Sequence, residues 1–151
     1  MIHDVVVQPL TVNADERGYL MEMLREDDEI FEHFGQAYVS LNYPGVIRAW
    51  HYHKKQSDFW TVPKGMVKAV IYDCREGSST YGEVNEFFLG DFNQVRLRIP
   101  KGVYHGFKCI GETEAMIINV PTELYNYQEP DEFRAPAHDP SIPYDWARKD
   151  R

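Results

Sequence analysis

The sequence predicts an all-β fold, either a sandwich or a jelly-roll barrel of short antiparallel strands. Runs rich in β-branched and aromatic residues recur along most of the chain, and glycines separate them at spacings typical of hairpins. Helical periodicity is confined to one short segment. A chain of 151 residues can bury a core of its own, so we expect a single domain over residues 1–151.

Eight of these runs are predicted to be strands, because they combine high β propensity with glycine turns between them. In chain order they are Gln36–Tyr43, Val46–His53, Phe59–Val62, Met66–Asp73, Glu83–Leu89, Gln94–Ile99, Gly106–Ile110 and Ala115–Val120. The short helical candidate is Asp27–Phe34, whose apolar side chains share one helical face. The segment from Glu129 to Arg151 contains four prolines, so it should wrap the barrel as an extended tail.

The chain is acidic, with 16 Lys and Arg against 24 Asp and Glu, which gives a net charge of −8. Nucleic acid and anionic membranes bind basic surfaces, so neither is an expected partner. No apolar run approaches the roughly 20 residues of a membrane span, and the N-terminus lacks the layout of a signal peptide. The two cysteines are expected to be free thiols, and the protein is expected to be cytoplasmic.

Three histidines and one aspartate form the most informative pattern in the chain. His51 and His53 are two residues apart in a predicted strand, so both rings should leave the same face of a sheet. Asp58 follows shortly afterwards, and His105 lies in a second segment that a folded sheet can bring close. Imidazoles and a carboxylate that converge in this way make either a metal site or a proton-transfer site.

The spacing of these residues is similar to that of cupins, small β-barrels with a site inside. The segment from Gly45 to Gly65 resembles their first motif, Gly-x5-His-x-His-x4-acid-x6-Gly, and Pro100–His105 resembles their second, Pro-x-Gly-x2-His. This resemblance implies a cupin-type jelly-roll barrel. It also implies that His51, His53, Asp58 and His105 occupy the positions that ligate Mn, Fe, Ni or Zn in metal-binding cupins.

A narrower resemblance covers nearly the whole chain and concerns the dTDP-4-dehydrorhamnose 3,5-epimerase family. Six elements in order resemble the motifs of that family, and together they extend over about 130 residues. They are Asp15–Glu22, Gln36 with Ser40, Gly45–His51, Tyr72–Arg75 with Ser79–Gly82, Ile99–Phe107, and His138–Ile142 with Trp146. The resemblance implies the same fold and the binding of a nucleotide-sugar.

Residue by residue, the resemblance implies a catalytic base at His51 and, at Asp139, the aspartate that orients it. The other matched positions are implied to contact the substrate: Arg17 and Arg48 at the pyrophosphate, Glu22 and Gln36 at the nucleotide, and His105 and Asn119 in the pocket. The resemblance also implies a homodimer in which N-terminal segments cross between subunits.

Two positions depart from the family pattern at the chemistry itself. The family's acid tyrosine aligns with Asn119, which cannot ionise, and its lysine aligns with Asp58, whose negative charge would oppose an enolate. These departures predict epimerisation at a single centre, C3 or C5, rather than at both. Three other tyrosines are candidates for the missing acid, namely Tyr104, Tyr125 and Tyr127.

The leading hypothesis is a nucleotide-sugar epimerase or isomerase that acts on a nucleotide-linked 4-keto-6-deoxy hexose. Histidine suits this reaction because removal of a proton beside the C4 ketone needs a base that is neutral near physiological pH. Such an epimerase requires no cofactor. Two alternatives remain open: a metal-dependent cupin enzyme with a divalent ion at His51, His53, Asp58 and His105, and a sugar-nucleotide binding protein without catalysis.

Overall fold

The computed structural model describes residues 1–150, which fold into two five-stranded antiparallel sheets and one separate hairpin. The twelve strands are β1 (Val6–Pro9), β2 (Val12–Asp15), β3 (Gly18–Met21), β4 (Tyr38–Asn42), β5 (Ile47–Tyr52), β6 (Asp58–Lys64), β7 (Met66–Tyr72), β8 (Val84–Gly90), β9 (Val95–Ile99), β10 (Tyr104–Cys109), β11 (Ala115–Asn119) and β12 (Phe133–Arg134). The first sheet has the order β1-β9-β6-β11-β4 and the second β12-β5-β10-β7-β8, while β2 pairs with β3.

The main hydrophobic core lies between the two sheets. The first sheet contributes Trp60, Val62, Leu97 and Ile99, and the second contributes Val67, Ala69, Ile71, Leu89 and Phe107. The strands alternate as their period of two requires: Val67, Ala69 and Ile71 of β7 point into this core, while Val70 points to the other face. The core fills one part of the space between the sheets and leaves the rest for a pocket.

The outer face of the second sheet carries a smaller apolar cluster, formed by Trp50, Val70, Ile142 and Trp146. The C-terminal tail supplies two of these residues, and the rings of Trp50 and Trp146 lie 5.0 Å apart between centroids. The tail therefore wraps the barrel, as its prolines predicted, and it also adds β12 to the edge of the second sheet beside β5.

The eight predicted strands correspond to β4 through β11, with ends that differ by a few residues. The short strands β1, β2, β3 and β12 were not predicted. β1 and β12 pair with strands that are distant in sequence. β2 and β3 form a short local hairpin whose side chains are mostly exposed, so its sequence lacks the apolar pattern of a core strand. No helix in the described residues is long and apolar enough to cross a membrane.

The predicted helix at Asp27–Phe34 is wrong, since the segment forms turns and extended backbone. Asp28 explains the difference. Its carboxylate accepts hydrogen bonds from the main-chain N–H of Arg25, at 2.7 Å, and from the buried guanidinium of Arg96, at 2.6 Å. Arg96 also binds the carbonyl of Met23, so a tertiary anchor fixes this segment in a non-helical path.

Candidate active site

A pocket of about 680 Å³ opens between the two sheets at the end that the hydrophobic core leaves free. Its walls come from both sheets, with Tyr38, Asp58 and Asn119 on the first and Arg48, His51 and His105 on the second. Loop residues also line it, namely Leu124, Tyr125, Tyr127, Asp131 and Glu132. The pocket thus brings charged and titratable groups from two opposite walls to one space.

An irregularity in β5 places two polar side chains inside the pocket. Strict alternation would put Arg48 and His51, three residues apart, on opposite faces of the sheet. Both line the pocket, because Ala49 and Trp50 both pack in the outer cluster. The neighbouring β10 shifts its register against β5 at this point. The close approach requires Gly106, since a Cβ there would lie 2.4 Å from the Cβ of Ala49.

His51 is paired with Glu132, whose Oε1 lies 3.3 Å from Nδ1 of the imidazole. The pairing of β12 with β5 brings this carboxylate into place, because Arg134 lies opposite His51 in that ladder. Burial lowers the pKa of His51 to about 4, and the neighbouring His105 acts in the same direction, while Glu132 opposes them. A neutral ring whose Nδ1–H faces Glu132 leaves Nε2 as the basic nitrogen.

His53, Asp58 and His105 form a second, buried cluster in which one ligand atom of each lies within 4.8 Å of the others. Oδ2 of Asp58 is 3.5 Å from Nε2 of His53 and 3.2 Å from Nε2 of His105. Each imidazole turns Nδ1 to a main-chain carbonyl, that of Asp131 for His53 and that of Val103 for His105. His51 does not belong to this cluster, so the structure brings together three of the four predicted metal ligands.

Asp58 is also the centre of a hydrogen-bond network on the opposite wall. Its Oδ1 accepts from Nε2 of Gln56 at 2.9 Å and from Nδ2 of Asn119 at 3.0 Å. Nδ2 of Asn119 also donates to the phenol oxygen of Tyr38 at 2.9 Å. Burial alone would raise the pKa of Asp58, but the hydrogen bond and charge of His105 outweigh it and lower that pKa below its ordinary value.

Four of the predicted substrate contacts line the pocket, namely Gln36, Arg48, His105 and Asn119. Arg48 is held in place because its Nε donates to Oδ1 of Asn42 at 2.6 Å. A fixed guanidinium of this kind can bind two oxygens of a phosphate at once. The pocket therefore combines a cation suited to an anionic substrate with a histidine suited to proton transfer.

Three predicted residues lie outside this pocket. Arg17 is at the turn of the β2–β3 hairpin, where it bonds Asp15, and Glu22 follows that hairpin and pairs with Arg25. Asp139 lies in the C-terminal tail, and its carboxylate accepts hydrogen bonds from Ser141.

Within residues 1–150 no ion pair joins Asp139 to His51. The carboxylate that contacts His51 is Glu132, which the sequence analysis did not select.

Glu132, Arg134 and Tyr38 are among the pocket residues that sequence reasoning missed. The first two reach the pocket only through the pairing of β12 with β5, and a proline-rich tail gives no sign of that pairing. Tyr38 could have been found. It lies midway between Gln36 and Ser40, two residues that already carried the family resemblance, and all three side chains line the pocket.

Comparison with known proteins identifies the family. The family model described as dTDP-4-dehydrorhamnose 3,5-epimerase matches residues 1–151. The chain belongs to this family. Its membership confirms the resemblance drawn from the six sequence elements, and it places the chain among isomerases that epimerise sugars.

Two curated relatives are similar to this chain over nearly their whole length. The probable low-salt glycan biosynthesis epimerase Agl13 of Haloferax volcanii is 50% identical over 147 residues, which cover 96% of this chain and 94% of Agl13. The spore coat polysaccharide biosynthesis protein SpsL of Bacillus subtilis is 47% identical over 146 residues, which cover 97% of each protein.

Solved structures of family members confirm the jelly-roll prediction. A dTDP sugar isomerase from Desulfovibrio desulfuricans superposes with a TM-score of 0.93 at 33% identity, over 99% of this chain and 94% of that one. The epimerase RmlC from Legionella pneumophila, solved in complex with dTDP-4-keto-L-rhamnose, has a TM-score of 0.85 at 28% identity, over 97% of this chain and 80% of that one.

Proposed function

We propose that residues 1–151 form one cytoplasmic epimerase domain that inverts a carbon beside the C4 ketone of a nucleotide-linked 4-keto-6-deoxy hexose. The observation that carries the proposal is the pairing of His51 with Glu132 in a pocket that also holds Arg48. Family membership supports it, and so does the dTDP-4-keto-L-rhamnose bound by the Legionella relative. Free thiols at Cys74 and Cys109 suit a reducing compartment.

His51 acts as the base in this proposal. A hydrogen on C3 or C5 is acidic, because its removal gives an enolate that spreads onto the C4 oxygen. Nε2 of His51 takes that proton, and the imidazolium that forms is stabilised by the carboxylate of Glu132. Glu132 therefore takes the orienting role that the family resemblance assigned to Asp139.

Epimerisation at one carbon, rather than at both, suits the residues on the wall opposite His51. Asn119 is neutral, and Asp58 is a buried carboxylate held by His105 and Gln56. They stand where the family resemblance implies an acid tyrosine and a lysine, so both of those groups are missing from their usual positions. We therefore assign this chain the inversion of C3 or C5 alone.

A homodimer suits the exposed residues at the N-terminal side of the fold. β4 is an edge strand of the first sheet, and its residues Val39 and Leu41 are each more than half exposed. Edge strands of this kind pair readily with another chain. The β2–β3 hairpin, which carries Arg17, forms a ladder of its own and is proposed to reach the pocket of a second subunit. Arg17 and Glu22 are proposed to contact the nucleotide there.

The proposed function can be tested by incubating the protein with dTDP-, GDP- and CDP-linked 4-keto-6-deoxy hexoses in deuterated water. We expect solvent deuterium at C3 or C5 of the substrate that is accepted, and inverted product. His51→Gln should lower the rate of deuterium exchange and the rate of inversion at least about 100-fold, as loss of a general base does. His3→Gln, which removes an exposed histidine outside the pocket, is the matched control.

The absence of deuterium from all three substrates would refute the proposal. Tight binding of a nucleotide-sugar without deuterium exchange would instead indicate that the protein binds sugar nucleotides and does not catalyse their epimerisation.

A second candidate function is a metal-dependent enzyme, and the His53–Asp58–His105 cluster favours it. Two imidazole nitrogens and a carboxylate oxygen suit Mn, Fe, Ni or Zn. The carbonyls of Asp131 and Val103 behind the imidazoles give the orientation that metal-bound histidines usually have. A divalent ion held here would supply a Lewis acid for a carbonyl oxygen. His51 would stay free to act as base.

Elemental analysis of protein purified without chelator decides between the two candidates. Stoichiometric metal that is lost in a His53→Ala, His105→Ala double variant, together with a raised melting temperature on adding Zn²⁺ or Mn²⁺ to the wild type only, would establish the metal site. Full activity at a metal content far below one ion per chain would rule out the metal-dependent enzyme.

A further inference from the structure

An epimerase needs a proton donor on the face of the sugar opposite its base, and the family's acid tyrosine is replaced here by Asn119. The sequence offered Tyr104, Tyr125 and Tyr127 as substitutes. Tyr104 packs in the outer cluster, 5.3 Å from the ring of Tyr52, and does not line the pocket. Tyr125 and Tyr127 line the pocket from a loop, where no described protein group forms a hydrogen bond with either hydroxyl.

A fourth tyrosine does meet the requirement. We propose that Tyr38 is the acid of this epimerase and delivers its phenolic proton to the sugar from the wall opposite His51. The inference rests on the proposed epimerase function and adds to it the residue that completes inversion.

The position of Tyr38 in the fold supports this role. Tyr38 begins β4, at the edge of the first sheet, whereas His51 lies on β5 in the second sheet, and both side chains line the same pocket. A planar enolate bound between the two walls would face His51 on one side and Tyr38 on the other. Removal of a proton by one wall and its return by the other is what inverts the carbon.

Asn119 fixes the phenol oxygen by a hydrogen bond and leaves the phenolic proton unused by that bond. Tyr38 and Asn119 are directly opposite in the β4–β11 ladder, and Nδ2 of Asn119 donates to the phenol oxygen at 2.9 Å. Oδ1 of Asp58 accepts from the same amide at 3.0 Å, which holds that amide in place. Among residues 1–150 the hydroxyl of Tyr38 has no protein acceptor, so its proton is available to a ligand.

The position left by the family's acid is therefore filled from the adjacent strand. Asn119 takes the place of the lost tyrosine and acts as a positioning residue for its neighbour. Burial and the negative charge of Asp58 raise the pKa of Tyr38 to about 12, so the phenol carries its proton at physiological pH. An enolate carbon is far more basic than a phenolate, so the transfer remains favourable.

The proton balance of the cycle closes without another reactant. His51 takes the hydrogen from carbon as a proton, and the C–H electron pair moves onto the C4 oxygen as the enolate. The O–H bond of Tyr38 then breaks as the new C–H bond forms on the opposite face. The imidazolium loses its proton to water and the phenolate regains one from water.

Tyr38→Phe tests this role, because it removes the proton donor and keeps the ring. In deuterated water with the accepted 4-keto-6-deoxy sugar, we expect inversion to fall at least about 100-fold. Exchange at the same carbon should stay within a few-fold of wild type, because His51 can still remove the proton and return deuterium to the same face. Tyr43→Phe is the matched control, since Tyr43 follows the same strand but is exposed and outside the pocket.

Loss of inversion with retained exchange supports the proposal. Unchanged inversion overturns it, and so does parallel loss of inversion and exchange in a variant that melts like the wild type. If the wild type neither exchanges nor inverts, the proposed function fails first, and that result is distinct from a failure of Tyr38 alone.

Discussion

The burial of His51 contributes to the pH dependence of the stability of the fold, and replacing this side chain should remove that contribution. In the folded chain its pKa is about 4, against an ordinary value of 6.5. As pH falls through 6.5 the unfolded chain takes up a proton at this residue, whereas the folded chain does so only near 4. Acidification therefore favours the unfolded state across this window, and the effect is complete below it.

The magnitude follows from the two pKa values. At about pH 4.5 nearly every unfolded chain is protonated at His51, whereas most folded chains are not, and the difference costs the folded state about 2 kcal/mol. At about pH 7 the same group contributes almost nothing. His51→Gln cannot titrate. As the pH is lowered from about 7 to about 4.5, the free energy of unfolding of the variant should therefore rise by about 2 kcal/mol relative to that of the wild type.

Urea denaturation followed by tryptophan fluorescence measures this difference, since Trp50, Trp60 and Trp146 are all buried and report on the folded state. Wild type and His51→Gln are each titrated with urea at the two pH values. His3→Gln, which removes an exposed histidine, is the control. Parallel pH profiles for His51→Gln and wild type would refute the reasoning, because they would mean that His51 is as easily protonated in the folded chain as in the unfolded one.

Three further predictions follow from the packing around the pocket. Asp58→Asn should lower the free energy of unfolding by about 3 kcal/mol in urea at neutral pH, because it leaves His105 without its buried partner, and an unchanged midpoint would contradict this. Gly106→Ala should cost about 2 kcal/mol and reduce exchange activity, since its Cβ would push β5 away beside His51; wild-type melting and activity would show that the strands have room. Leu41→Lys should convert a dimer into a monomer in size-exclusion chromatography with light scattering, and a monomeric wild type at micromolar concentration would argue against the proposed interface.

The sequence predicted the strands of the barrel well where each strand carries its own pattern. β7 illustrates this, because β-branched residues and flanking glycines mark it without help from the rest of the chain. It predicted poorly where a tertiary contact decides the local structure. Asp27–Phe34 has helical periodicity, but Arg96 binds Asp28 and holds the segment open, and no local pattern reveals that contact.

The candidate site divides in the same way. His51, His53, Asp58 and His105 could be selected because their spacing resembles the cupin motifs, and all four line the pocket between the two sheets. The partner of His51 could not, because Glu132 reaches it through a two-residue strand whose pairing depends on the packing of the whole tail.

The tail closes the active site from outside the barrel. The carboxylate of Asp131 accepts main-chain hydrogen bonds from Lys54 and Lys55, while Ala135 exchanges two with Trp50, so the segment that carries Glu132 is clamped at both ends. The main core between the sheets contains no residue of this tail. Removal of this tail would leave a folded but inactive barrel. Proteolysis or truncation near the C-terminus should therefore abolish activity at temperatures well below the melting temperature.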